Sequence, residues 1–182
     1  NYVNYSVAAG IDWETIERLS GNVNFSVNEN VPNNDLAAEI GTDRDLVRTT
    51  AASARVTYGL VSLLSLEGIV SHRQIDYTSN SGRFQNSDYS QNAVSVGLKY
   101  RPSGALTLGS ALRFTRGEFP NRSFNRRDLD LTANWIATGQ STLNARVSVG
   151  KQNYDGVSNR DFSGLTGSLG WIYRPTGKLS FN

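Results

Sequence analysis

The chain has 182 residues, of which 38% are hydrophobic and 19% are charged, and its net charge is +2 at pH 7. The absence of cysteine excludes disulfides and thiolate metal sites. The single histidine, His72, excludes a cluster of histidine ligands, and the scattered Lys and Arg residues argue against nucleic-acid binding. No run of about 18 apolar residues is present, so no transmembrane helix is predicted.

Alternation of apolar and polar residues with a period of two predicts ten strands. In chain order they are placed at 3–14, 19–29, 47–59, 63–77, 91–101, 105–118, 127–136, 141–154, 161–174 and 178–182. Most have about 10–14 residues, which is longer than the usual strand of a globular sheet and enough to cross a membrane when tilted. The last segment is too short to cross.

Short turns alternate with longer hydrophilic connections. One turn occurs twice, as Tyr-Arg-Pro-Ser-Gly at 100–104 and as Tyr-Arg-Pro-Thr-Gly at 173–177. Short turns at one end and long loops at the other are typical of an outer-membrane barrel, and we expect the short turns to face the periplasm. The long connections are predicted at 29–46, 78–90, 117–126 and 154–161.

Aromatic residues mark the ends of the predicted strands, as expected of two interfacial girdles. The girdle beside the short turns is predicted to contain Trp13, Tyr58, Tyr100, Trp135 and Tyr173. The second girdle, beside the loops, is predicted to contain Tyr77, Phe119 and Tyr154. The loop-side aromatic residues, which also include Phe84, Tyr89 and Phe124, could instead stack on sugar rings, although girdle and loop packing is the favoured interpretation.

Each predicted strand has an apolar face and a polar face. The apolar face carries no charge through its middle, where a lipid-facing Arg or Lys would cost about 2–4 kcal/mol. A soluble β-sandwich would also alternate, so the girdles, the loop lengths and this charge-free band favour the membrane. The polar face supplies the predicted pore lining: Arg55, Glu67, Arg73, Lys99, Arg113, Asp128, Asp130, Asn144 and Arg146.

Asp128 and Asp130 project on the same side of one strand, about 6.5–7 Å apart. A similar separation occurs in paired catalytic carboxylates. The favoured alternative is that they neutralise Arg113 or Arg146 on neighbouring strands, as opposite charges on one sheet face commonly do. No catalytic residue, metal or cofactor is therefore predicted, and the protein is not expected to be an enzyme.

These patterns predict an all-β, antiparallel up-and-down transmembrane β-barrel of the outer-membrane type. About ten strands occupy residues 1–182, which we treat as a single barrel segment in outer-membrane lipid. Bacterial single-chain barrels close with an even number of strands, and an open edge leaves unpaired backbone groups in lipid. Because the last strand is short and position 1 is not Met, we expect the segment to be incomplete at both ends and part of a larger barrel.

Several stretches resemble the EpsL family: Gly-Leu-Lys-Tyr-Arg-Pro at 97–102, Leu-Arg-Phe-Thr-Arg-Gly-Glu-Phe-Pro-Asn at 112–121, Asp-Phe-Ser-Gly-Leu-Thr-Gly at 161–167 and Pro-Thr-Gly-Lys-Leu-Ser at 175–180. The resemblance covers most of the chain and is more specific in the second half. It implies an outer-membrane barrel of exosortase-linked exopolysaccharide loci, with a polysaccharide substrate, periplasmic export partners and no catalytic motif. The alternative function is a non-conducting structural or anchoring barrel that binds surface or periplasmic partners.

Overall fold

The computed structural model describes residues 4–15, 18–30, 46–59, 63–78, 87–156, 161–176 and 179–181. Within these ranges no helix is long and apolar enough to cross a membrane. The strands are β1 (Tyr5–Glu14), β2 (Leu19–Asn30), β3 (Leu46–Tyr58), β4 (Leu64–Thr78), β5 (Tyr89–Ser103), β6 (Leu106–Phe119), β7 (Arg122–Thr138), β8 (Ser141–Tyr154), β9 (Phe162–Thr176) and β10 (Leu179–Phe181).

The ten strands form one antiparallel sheet in which each strand pairs with the next along the chain. This confirms the predicted all-β, up-and-down fold with nine long strands and a short tenth. β1 and β10 are the two edges of the described sheet, which does not close on itself. The connections on the side of the repeated turn have two to five residues, and we call this end the turn side and the opposite end the loop side.

The long connection predicted at 117–126 is wrong. β6 continues to Phe119, β7 begins at Arg122, and these two residues pair directly across a two-residue Pro-Asn turn. The segment was mistaken for a loop because it is polar. Its polar residues occupy successive positions of a strand that extends beyond the apolar band, where neither face meets hydrocarbon. The other predicted loops lie largely outside the described residues.

The register collects the apolar side chains on one face of the sheet without a break. Val94, for example, pairs with Val70 on one side and with Phe114 on the other. Side chains of this apolar face are exposed, up to 70% for Ile11 and 74% for Leu169, whereas Asp128 and Ser148 of the polar face are buried. A water-soluble protein has the opposite distribution. The sheet therefore curves around its polar face, as the wall of a barrel does.

The turn-side aromatic residues show how the strands are tilted. Tyr58 of β3 pairs with Leu66, and Leu66 pairs with Leu98, which lies two residues before Tyr100 on β5. The line from Tyr58 to Tyr100 therefore crosses two strands while it advances two residues along them. With about 3.4 Å per residue and about 4.8 Å between strands, this line is inclined by about 35° to the direction of the hydrogen bonds. The strands of outer-membrane barrels are tilted by about 35–45°, so rings on this line share one depth. The same step joins all five girdle residues: Trp13, Tyr58, Tyr100, Trp135 and Tyr173.

On β3, β5 and β7 a second boundary lies eight residues further along the strand. On the apolar face, the residues eight positions before the girdle residues of β3, β5 and β7 are all polar: Thr50, Asn92 and Arg127. Eight residues in a strand tilted by about 35° rise about 22 Å along the barrel axis, close to the apolar band of about 25 Å in outer-membrane barrels. The two boundaries therefore enclose one membrane thickness.

Leu131 lies midway between Trp135 and Arg127 on the apolar face of β7 and is half exposed. Leu131→Arg is expected to lower the free energy of unfolding of the complete barrel by about 2–4 kcal/mol, because the charge would face the middle of the bilayer. Asn125→Arg, on the same face of the same strand but above the band, should cost at most about 1 kcal/mol. Denaturant titration in lipid vesicles measures both changes, and equal losses would contradict the assigned boundaries.

Candidate functional site

The polar face of β3, β4 and β5 carries a group of three charges near the turn side. Glu67 accepts a hydrogen bond from Nζ of Lys99 at 2.7 Å, and its Oε2 lies 3.7 Å from Nη1 of Arg55. We call Arg55, Glu67 and Lys99 the turn-side charge cluster. The three side chains come together because their positions are nearly opposite one another in the register of adjacent strands.

A larger charge cluster occupies the same face on β6, β7 and β8. Nε of Arg126 lies 2.9 Å from both carboxylate oxygens of Asp128, and Nε of Arg113 lies 3.5 Å from Oδ2 of Asp128. Nη2 of Arg113 lies 3.2 Å from Oδ2 of Asp130. We call Arg113, Arg126, Asp128, Asp130, Arg146 and Ser148 the central charge cluster.

Asp130 has further partners on β8. Nη2 of Arg146 donates to its Oδ1 at 2.8 Å, and the Ser148 hydroxyl donates to the same oxygen at 2.6 Å. Gly150 leaves the space that Asp128 occupies, because a Cβ at that position would clash with Oδ1 of Asp128. Asp128 thus pairs with Arg113, and Asp130 pairs with Arg113 and Arg146, which confirms that the aspartates neutralise arginines on neighbouring strands.

The carboxylates of the two clusters are far less exposed than their cations, of which Arg55 and Arg146 are exposed and the other three half-buried. The side chains of Glu67, Asp128 and Asp130 are only 14%, 1% and 11% exposed, whereas those of the five Arg and Lys residues are 31 to 48% exposed. Buried carboxylates stay charged only when they are paired, and here each has two cationic partners. Three carboxylates thus fix the positions of five cationic side chains. The surface that the two clusters present to solvent is therefore positive.

A groove of about 460 Å³ runs between the two charge clusters. Its floor consists of small residues such as Ser95, Gly97 and Ala111. Cations stand on both sides, with Arg55 and Lys99 on one and Arg113 and Arg146 on the other. The groove therefore has a floor of small side chains and two cations on each side.

All nine residues predicted to line the pore lie on the polar face, as the strand register shows. The structure brings seven of them into the two clusters. Arg73 lies nearer the loop side, and Asn144 lies near the turns, where it accepts a hydrogen bond of 2.5 Å from Asn134. The lining of a pore by these residues remains a prediction, because the described sheet is one part of a wall.

Two members of the central charge cluster were missed from the sequence. Arg126 falls in the predicted connection at 117–126, and Ser148 is not among the residues predicted to line the pore. His72 lies on the apolar face near the loop side, where its Nδ1 is 2.8 Å from Oδ1 of Asn92. In the described ranges no group of His, Cys, Asp or Glu residues could hold a metal ion.

The predicted girdle on the loop side is wrong. Phe119 has the same parity as Arg113 on β6, Tyr154 the same as Ser148 on β8, and Tyr77 the same as Arg73 on β4, so all three belong to the polar face. The five turn-side aromatic residues do lie on the apolar face. The prediction is wrong because it rested on the closeness of these residues to the strand ends. Whether a side chain faces lipid depends also on its odd or even position along the strand.

No family model and no curated protein matches the chain. Among solved structures it is similar to OmpT of Vibrio cholerae expressed in the outer membrane, with a TM-score of 0.65, 11% identity, and coverage of 93% of this chain and 56% of that one. It is also similar to an anion-selective porin from Comamonas acidovorans, with a TM-score of 0.52, 11% identity, and coverage of 97% and 49%. The fold is that of an outer-membrane β-barrel.

The chain spans about half the length of the structures it matches. At 11% identity the likeness shows the fold alone. The shared fold and the exposed apolar band together support the predicted location in the bacterial outer membrane. That the protein is not an enzyme stays a prediction.

Asp128→Asn tests whether the central charge cluster holds the wall together. We expect it to lower the free energy of unfolding by about 1.5–3 kcal/mol, because a buried carboxylate bound by two guanidinium groups loses its charge. Glu118→Gln is the matched control, since the Arg116–Glu118 pair is exposed at both ends and should contribute at most about 1 kcal/mol. Denaturant titration of the complete barrel in vesicles compares them, and a smaller loss for Asp128→Asn would contradict the assigned role.

Proposed function

We propose that this chain forms about half of the wall of an outer-membrane barrel that conducts neutral or anionic polysaccharide through a polar lumen. The observation that carries the proposal is the unequal exposure of charges on the polar face. Buried carboxylates anchor exposed Arg and Lys side chains, so a solute in the lumen meets the cations first. Such a surface raises the local concentration of anions.

The polar face also has the chemistry that a hydrated sugar chain needs. Between the charged residues it presents Ser, Thr and Asn side chains, such as Ser95, Thr132 and Asn144, over a floor of small residues. These groups can exchange hydrogen bonds with sugar hydroxyls as the polymer moves. Polysaccharide, rather than a small anion, is proposed because the sequence resembles the EpsL family. Membership of that family and periplasmic export partners are parts of the same proposal.

The proposal requires additional strands to close the wall. β1 pairs only with β2 among the described residues, and β10 only with β9. An unpaired strand edge in hydrocarbon costs several kcal/mol per backbone group, so the complete barrel must pair both edges.

The double variant Arg113→Gln, Arg146→Gln removes two exposed cations and leaves Asp130 in the wall. We expect a several-fold fall in the anion-to-cation permeability ratio, because the groove would lose two of the four cations that line it. The measurement is the reversal potential of the complete barrel in a planar bilayer under a salt gradient. Arg116→Gln is the control: it removes one cation from the apolar face and should leave the ratio unchanged.

An unchanged ratio in the double variant would contradict the proposed lining. In the producing bacterium, the same variant should reduce surface polysaccharide while the amount of barrel stays constant. A complete barrel that passes no ions and no solute from liposomes would exclude the conduit. The non-conducting anchoring barrel would then be the better account of the fold.

A further inference from the structure

Four aromatic rings from four consecutive strands meet on the polar face at the loop side. The ring centroids of Tyr89 and Phe119 are 4.8 Å apart, those of Phe119 and Phe124 are 6.5 Å apart, and those of Phe124 and Tyr154 are 5.6 Å apart. We call these four residues the aromatic cluster. It contains Phe119 and Tyr154, two of the three residues predicted for a loop-side girdle, and it faces away from lipid.

The aromatic cluster lies beyond the membrane boundary. Tyr89 is three residues beyond Asn92 on β5, and Phe124 is three residues beyond Arg127 on β7. Three residues in a tilted strand correspond to about 8 Å along the barrel axis. Because the cluster is on the polar face, it surrounds one side of the loop-side mouth of the proposed pore.

Packing of the β6–β7 hairpin explains only part of the cluster. Phe124 is 8% exposed and lies directly on Gly117, where a Cβ would clash with its ring, so Phe124 is the core of this end of the sheet. The rings of Tyr89, Phe119 and Tyr154 are only half-buried. Three partly exposed rings side by side at a lumen mouth form an apolar platform in water, a feature typical of a binding surface.

Two exposed arginines lie beside the platform. The guanidinium carbon of Arg122 lies 4.4 Å from the centroid of the Phe119 ring. Arg73 pairs in the register with Gln91, whose Oε1 accepts a 2.5 Å hydrogen bond from the Tyr89 hydroxyl. Both arginines are exposed, and neither has a carboxylate partner among the described residues. They differ in this from the cations of the two charge clusters, which are held by buried acids.

We propose that the aromatic cluster, with Arg73 and Arg122, binds a pyranose ring that carries a carboxylate. The positively polarised C–H bonds on one face of the sugar would lie on the negative faces of the aromatic rings. The carboxylate would pair with a guanidinium group, whose planar donors match its two oxygens. The inference rests on the proposed function, since it makes this mouth the end of the polysaccharide path and names the acidic sugar as the recognised unit.

Isothermal titration calorimetry of tri-galacturonate with the detergent-solubilised complete barrel tests this site without requiring conduction. The double variant Tyr89→Leu, Phe119→Leu keeps apolar volume and removes two aromatic faces, and we expect it to raise Kd about tenfold. Tyr5→Leu is the matched control, because it removes an aromatic residue at the same end of the apolar face and should leave Kd unchanged. If the double variant does not fold by circular dichroism, Phe119→Leu alone should raise Kd about threefold.

Titration with maltotriose, a neutral trisaccharide, tests whether binding depends on the carboxylate of the sugar. The wild-type barrel should bind maltotriose more weakly than tri-galacturonate, and Arg122→Gln should remove most of that difference. An unchanged Kd for tri-galacturonate in the folded leucine variant would overturn the aromatic site. Equal wild-type affinity for the two trisaccharides would overturn the preference for an acidic sugar.

The two proposals can fail separately. The leucine variants should leave the anion-to-cation permeability ratio unchanged, because the aromatic cluster adds no charge to the lumen. If the barrel does not conduct but tri-galacturonate binding depends on the aromatic rings, the binding site stands and the conduit is wrong. If the barrel conducts anions but binding does not depend on the rings, the reverse holds.

Discussion

The structure depends on pairing each strand with its two neighbours along the sheet, because a face that meets hydrocarbon offers no water to unpaired backbone groups. This constraint explains the strict order of the sheet from β1 to β10. It also fixes the parity of every side chain, so that one unbroken register separates an apolar face from a polar one. The tilt of about 35° is a second consequence, since a shift of one residue per strand keeps the girdle residues at one depth.

Pairing is also required on the polar face, where the groups that need a partner are buried carboxylates. Asp128 and Asp130 are nearly inaccessible, and each pairs with two guanidinium groups. The buried carboxylates link neighbouring strands and stabilise the fold. Their cationic partners face the lumen, where they contribute to the proposed function. A wall stabilised in this way has a positive surface even though its total charge is nearly balanced. The selectivity proposed for the lumen therefore follows from which charges are exposed.

Alternation is a local property, so the strands, their two faces and nine residues of the polar face could be predicted from the sequence. The pairing of Asp130 with Arg146 could be expected for the same reason, because the short turn at 139–140 sets the register of β7 and β8. The aromatic cluster could not be found in this way. Tyr89, Phe119, Phe124 and Tyr154 meet only when the Pro-Asn turn is recognised as a tight hairpin, and polarity alone had indicated a loop.

The central claim is that the polar face lines water and the apolar face meets lipid. Because the chain has no cysteine, single cysteines can report each face in intact membranes. A water-soluble, membrane-impermeant thiol reagent should label Thr132→Cys and Asn144→Cys, whereas Leu131→Cys and Ala145→Cys, their immediate neighbours on the other face, should stay protected. Equal labelling of both sets, or labelling of the apolar-face positions alone, would contradict this account.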